Sequence, residues 1–228
     1  MTYVKKSHTK LYLATILIVI LGISVAAVVY ATLSEPKVEV GVNVGDTFTY
    51  HLSGTSHLIG ENATETPGFS NYNNTDYYKI TITAINGSNV SMDTSWRFLN
   101  GTIVNDSQTI NVGNGEKSDE NGFWAIYPAN LNTGNLLRPK GYDQTIVNNT
   151  SPYTYASGTR ERCFWSINNQ FYDVRDESRE TLMYDYRDIF FDRETGMLTS
   201  FTNHQFYNNP EMELVIVWSL VDTSVWTV

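Results

Sequence analysis

The sequence predicts a mainly β protein, with an N-terminal transmembrane helix followed by one antiparallel β domain, a curved sheet (half-barrel) or a sandwich. Three observations carry this expectation. Beyond residue 35 helix formers are scarce, whereas the chain holds 22 Asn, 26 Thr, 18 Ser and 15 Tyr. Thr and Tyr fit a pleated surface, and Asn supplies turn conformations. Apolar residues recur with period two over several runs, as half-buried strands require. One segment only, Leu11–Tyr30, is continuously apolar.

That segment reads LYLATILIVILGISVAAVVY, twenty residues without a charge. At 1.5 Å per residue it spans about 30 Å, the thickness of a bilayer core. Lys5, Lys6 and Lys10 precede it, and Glu35 and Glu39 follow with Lys37 between. Positive flanks stay cytoplasmic, so residues 1–10 form a basic cytoplasmic tail and residues 11–31 the span through which the chain meets the plasma membrane. Residues 32–43 are then a linker, and residues 44–228 an extracytoplasmic domain. A signal peptide cleaved near Ala31 is the rival. Its apolar core would run to about 7–15 residues, shorter than this one. A pilin-type filament helix is disfavoured, since His8-Thr9-Lys10 makes a poor processing site.

Along the outer domain, Phe48, Tyr50, Leu52 and Leu58 share one parity of Thr47–Leu58 and polar residues the other. Ile59–Asp76 is a loop rich in Asn, Gly and Thr. Tyr78–Ile85 and Val90–Leu99 alternate around Asn86-Gly87-Ser88, a strong hairpin signal, with Trp96 and Phe98 facing the core. Asn100-Gly101 turns into a third strand over Thr102–Val112, completing a meander. Phe123–Tyr127 is a short apolar run before an irregular stretch. Further strands are expected at Thr159–Ile167, Leu182–Phe191 and Met197–Phe206. Met212–Val221, apolar on both parities, reads as a central strand buried on both faces. Eight to ten strands are expected in all. The two-faced burial of the last strand argues for a filled core without a large cavity.

Charge and motif content exclude more than they assign. The net charge is −9, and the 218 residues after the basic tail carry 12 basic against 24 acidic side chains. Such a surface lacks the positive footprint of a nucleic-acid binder. The single cysteine, Cys163, rules out an internal disulfide. Its parity with Trp165 and Ile167 reads as a buried, inert thiol. The run Asp173, Asp176, Glu177, Glu180, Asp185, Asp188, Asp192 and Glu194 lacks calcium-loop spacing. Interleaved with Arg175, Arg179, Arg187 and Arg193, it reads as a solvated face paired across strands. His51 and His57 lie about 20 Å apart along one strand, too far to share an ion, and His204 would have to supply a partner. No catalytic, cofactor-binding or metal-ligating constellation is present, and an enzyme is not expected. Asp192-Arg193-Glu194-Thr195-Gly196 has a local meaning: the Asp accepts backbone N–H groups and Gly closes a bulged hairpin. Asn-x-Ser/Thr sequons stand at Asn62, Asn73, Asn86, Asn89, Asn100, Asn105, Asn148 and Asn149, in or beside expected turns and loops. They are candidate N-glycosylation sites of an external domain.

Several stretches occur together in a telling order: the basic start and apolar helix, Val42–Tyr50, Phe123–Gly134, Phe191–Leu198 and Ser224–Val228. The order resembles uncharacterised archaeal surface proteins with one N-terminal helix and one β-rich domain. Asn135 departs from it, where an acid is expected after Gly134. The curved sheet and D-x-x-T-G hairpin are distantly similar to lipoprotein-carrier domains of the LolA type, an analogy of fold. The resemblance implies topology and no activity. The leading functional expectation is a membrane-tethered surface domain with a structural, adhesion or envelope role, meeting other envelope proteins. The alternatives are a module holding a lipid or other apolar ligand in a curved sheet, and a glycan-binding β domain.

Overall fold

The computed structural model describes residues 19–21, 23–24, 38–119, 122–172 and 182–228. The chain divides into two compact units, residues 1–37 and 38–228. In the first, the five described residues are helical, and Ser24 Oγ donates to the Ile20 carbonyl one turn back at 2.9 Å. Most of the expected membrane span, Leu11–Tyr30, lies outside the described residues. Among those described, no helix is long and apolar enough to cross a membrane.

The second unit is one antiparallel sheet of nine strands. They are β1 (Thr47–Leu58), β2 (Thr75–Asn86), β3 (Asn89–Phe98), β4 (Ile103–Asn111), β5 (Asn149–Tyr155), β6 (Gly158–Tyr172), β7 (Leu182–Asp192), β8 (Leu198–Asn208) and β9 (Glu211–Thr223). A single helical turn, α1 (Ser70–Asn73), interrupts the loop before β2. The sheet is mainly β and antiparallel as expected, and it is an open single sheet, so the sandwich alternative does not hold. The order is β4-β3-β2-β1-β9-β8-β7-β6-β5. Two meanders therefore join where the first strand meets the last. Eleven residue pairs tie β1 to β9, from Phe48↔Thr223 to Leu58↔Met212. The edges, β4 and β5, are consecutive in sequence and are linked by the long segment 112–148.

The local rules explain most elements. Phe48, Tyr50 and Leu52 are fully buried on one parity of β1, whereas Leu58 at its far end is exposed. The β2–β3 hairpin pairs Asn86 with Asn89, so Gly87 and Ser88 are its central residues. Gly87 has φ 58, the positive value that the first position of a two-residue II′ loop demands. A bulge between Ile82 and Ala84 turns Ala84 outward and Ile85 inward, against simple alternation. β5 was not expected, because Pro152 and its polar alternation argue against a strand. As an edge strand bonded to β6 alone, it tolerates a residue without an N–H.

β9 is central, as expected, but is buried on one face only. Met212, Leu214, Ile216, Trp218 and Leu220 point inward, while Val215 and Val217 on the outer face are only partly buried. Residues 38–43, read as linker, also belong to this unit. Val42 is buried, and the Glu39 carbonyl accepts from Ala129 N at 2.9 Å.

The inner face is covered by segment 112–148. Ala125, Ile126, Leu137 and Val147 are buried against the sheet. The Tyr127 ring stacks on Phe191 at 4.6 Å. Backbone bonds pin this cover to the β7–β8 turn: Tyr127 N donates to Gly196 O at 2.9 Å and Asn130 N to Arg193 O at 2.7 Å. Gly196 has φ 74, and a Cβ there would collide with the Tyr127 carbonyl, so glycine is required twice over.

Candidate functional site: an aromatic cavity under the cover

One cavity, of about 500 Å³, lies between the inner face of the sheet and the cover. Its lining draws on β4 and β6, which stand seven strand positions apart. In a flat sheet that separation would be about 34 Å at roughly 4.8 Å per strand. The open sheet is therefore not flat across that span. The expectation of a filled core without a large cavity is overturned. Val215 and Val217 stay partly exposed on the outer face of β9, so its double apolar parity does not require closure.

Rings form most of the wall. Trp218 of β9 meets Phe123 of the cover at 4.6 Å and Tyr78 of β2 at 4.8 Å. Tyr78 and Trp96 pack edge to face at 6.0 Å, and the Trp96 Nε1–H donates to Thr75 Oγ1 at 2.7 Å. Trp96 is thus inward-facing, as expected, yet half-buried because it borders the cavity. Ile167, Ile189, Phe201 and Ile216 complete the apolar surface. On the cover side, Trp124 is held between Lys117, 4.8 Å from its ring centre, and Arg138 at 4.3 Å, while its Nε1–H donates to Gly115 O at 2.8 Å. Arg138 is itself buried and paired with Asp143. Such rigid packing keeps the cavity roof in place.

A few polar groups interrupt this surface. Gln108 on β4 and Asn203 on β8 are each only 6% exposed, and Gln108 Oε1 and Asn203 Oδ1 have no hydrogen-bond partner among the described residues. Asp106 and Asp119 also line the cavity. Arg187 of β7 is the cation among the described lining residues. Its Nε and NH2 donate to the two carboxylate oxygens of buried Asp185, at 3.0 and 2.5 Å. Burial raises the Tyr72 and Tyr78 phenols above the ordinary value, and the Tyr127 phenol to about 12 against the opposing Arg138 charge. These phenols stay protonated, and the cavity offers no tyrosinate.

The other sequence-derived candidates fall elsewhere. Of the acidic run, residues 173–181 lie outside the described residues. Asp185 and Asp192 are buried rather than solvated, and Asp185 pairs within its own strand, two residues from Arg187. Only Asp188 and Glu194 of the described members are exposed. Asp192 performs the expected turn role, accepting Thr195 N and Thr195 Oγ1 at 2.8 Å each. Cys163 is fully buried, its Sγ–H facing the Leu131 carbonyl at 3.4 Å, and burial pushes its thiol up to about 11. His51 and His57 lie on the exposed outer face, and His204 stands 3.8 Å from Glu213. Among the described residues, no three His, Cys, Asp or Glu gather as a metal site would require.

All eight sequon asparagines are exposed. Asn105 lies within edge strand β4 rather than in a turn. Both ends of the Asn73 side chain are occupied, bonding the Gly54 backbone N and O at 2.8 and 2.7 Å. On the outer face Tyr184, Tyr186, His204 and Phe206 border a shallow groove. Tyr186 and Phe206 meet at 85°, so they do not form the coplanar row on which a sugar face stacks.

Sequence reasoning missed Gln108 and Asn203. The available signal was parity: Asn203 lies on the inward parity of Phe201, and Gln108 on that of Ile110. A polar residue on an apolar parity is buried by its neighbours and marks a place where a partner is due. Neither a family model nor a curated protein matches this chain.

Proposed function

We propose that residues 38–228 are a binding module that holds an apolar ligand between the curled sheet and its cover, tethered outside the cytoplasm by the N-terminal apolar segment. The observation that carries the reading is the cavity itself. A volume of about 500 Å³, lined by aromatic and aliphatic side chains with a few polar groups, falls within the ~300–1,000 Å³ range of small-molecule sites. The tether and the external location rest on the twenty-residue apolar run and its basic flank. The kinship with archaeal surface proteins, and the analogy to LolA-type carriers, belong to the same proposal. It assigns no catalytic residue.

The test is native mass spectrometry of the domain with extraction of any bound lipid, beside peptide mapping of membrane fractions. A stoichiometric apolar ligand, lost on Trp218→Lys while the domain still melts cooperatively, is the expected result. A domain that stays empty when offered lipids overturns the binding role. Recovery only of chains beginning at Thr32 overturns the tether.

A second reading, envelope structure or adhesion, has its own support. Edge strand β4 bears Ile103 and Val104, and the turn before it Leu99, all about half or more exposed. An open edge with apolar side chains is suited to strand addition by an envelope partner. Lysine substitutions at Ile103 and Val104 would abolish such an association and leave the cavity untouched.

A further inference from the structure

We infer that a pocket lined by β5, β6, β8 and β9 binds a small oxyanion, a carboxylate or a phosphate, on the guanidinium of Arg162. No described residue lines both this pocket and the aromatic cavity, so the inference does not rest on the reading above. The pocket has a volume of about 250 Å³, and Arg162 is the one charged side chain in its described lining. No Asp or Glu is among those lining residues, although the 218 residues after the basic tail carry 24 acidic against 12 basic side chains. Among the described residues the Arg162 guanidinium has no ion pair and no hydrogen bond. Asp192 stands directly across the β6–β7 ladder, but its oxygens are taken by Arg160 and Thr195. Glu194 is held by Arg160, and Glu161 by Arg193. The neighbouring acids thus answer other arginines, and Arg162 is left over.

Aromatic rings hold that cation in place. Its guanidinium carbon lies 3.5 Å from the centre of the Tyr153 ring and 4.9 Å from that of Phe190. Such contacts cover the faces of the planar group and leave its edges for hydrogen bonds. Nε is enclosed and takes no part, whereas NH1 and NH2 keep open surface and bond to no described residue. Their fork matches two oxygens of a carboxylate or a phosphate. The hydroxyls of Thr154, Ser200 and Ser219 share the lining and add donors, the two serines facing each other across the β8–β9 ladder. A half-buried cation without an acceptor is costly, and an oxyanion that supplies one recovers the loss. At ~30 Å³ per water-sized group the pocket holds on the order of eight non-hydrogen atoms, enough for a phosphate or a short organic acid.

The experiment titrates the full chain, held in a non-ionic detergent, with inorganic phosphate and with butyrate by calorimetry. Both titrations run near neutral pH at an ionic strength matched with sodium chloride. At least one of the two anions is expected to bind with a Kd of about 1 mM or below. Arg162→Gln should weaken that binding about ten- to a hundredfold, the range of lost charge-assisted hydrogen bonds. Arg162→Lys keeps the charge and loses the planar fork, so it should weaken binding by less, and it decides the matter where the glutamine variant fails to fold. Arg97→Gln removes a cation that already has Asp76 as its partner at 3.3 Å, and should leave the affinity unchanged. Binding of phosphate alone, or of butyrate alone, supports the inference and names the anion. No binding of either, unchanged affinity on Arg162→Lys, or an equal loss on Arg97→Gln overturns it.

Discussion

Replacement of Asp192 by alanine should be among the most damaging single changes in the domain. Its carboxylate is fully buried at the end of β7 and has four donors. Oδ1 accepts Thr195 N and Thr195 Oγ1 at 2.8 Å each and Arg160 NH2 at 3.0 Å, and Oδ2 accepts Arg160 Nε at 2.7 Å. Arg160 also lies over the Trp226 ring at 4.4 Å, so the carboxylate holds a cation that packs the C-terminal segment. Removing one partner of a buried pair costs about 3–5 kcal/mol, because the other charge and its neighbours lose their acceptor. Arg160 keeps Glu194 at 2.8 Å, which places the expected loss near the lower end. For a domain of this size each kcal/mol lowers Tm by about 2–4 °C, so the Tm should fall by at least ~6 °C. Urea denaturation with an unchanged m-value would measure the loss directly. Hydrogen exchange supplies a second readout. The turn anchors the cover through Tyr127 N and Asn130 N, so these amides should lose protection before those of β1. A loss below ~1 kcal/mol, with both amides still protected, would refute the claim that the carboxylate organises the turn.

Three further outcomes follow from named contacts. Tyr50→Phe removes the hydroxyl that donates to Leu198 O at 2.8 Å inside the core, and should cost about 1–2 kcal/mol in urea melts without a change in fold. Trp218→Ala should cost about 3–5 kcal/mol, whereas Trp96→Ala, half-exposed at the cavity, should cost less; a reversed order in the same melts would misplace the cavity. The Cys163 thiol has a raised pKa in the fold, so its share of stability is complete below about 9 and is lost as pH rises towards 11. Cys163→Ala should flatten stability over that window, and alkylation of native Cys163 at pH 8 should be far slower than in urea.

The strands were legible in the sequence because a half-buried strand writes its burial into alternate residues. Phe48, Tyr50 and Leu52, or Val90 and Met92, need no distant information to be recognised. The same holds for turns, where Gly87 and Gly196 take backbone angles that other residues resist. The D-x-x-T-G hairpin was likewise local, with its acceptor and donors three residues apart. What the chain could not announce locally was which strands meet. Pairing of β1 with β9 joins residues some 150–175 positions apart, and it makes edges of β4 and β5. That edge position admits Pro152 into a strand and hides β5 from pattern reading.

Most of the candidate site belongs to this second category, although parity already pointed Trp96 inward. Val215 and Val217 looked like a demand for two layers, because alternation reports side-chain type and not what lies opposite. The path of the sheet decides that, and here it brings β4 and β6 to one cavity and leaves Val215 and Val217 partly exposed on the outer face of β9. Burial of Asp185, Asp192, Gln108 and Asn203 is equally a tertiary result. Each is polar in sequence and is taken from water by neighbours that other strands supply. The sequence by itself determined the strands, the turns and the acidic surface, since these depend on backbone geometry and side-chain polarity within a few residues. The tertiary structure alone decided the strand order, the path of the sheet and the cavity, since these depend on contacts whose partners lie across the whole length of the domain.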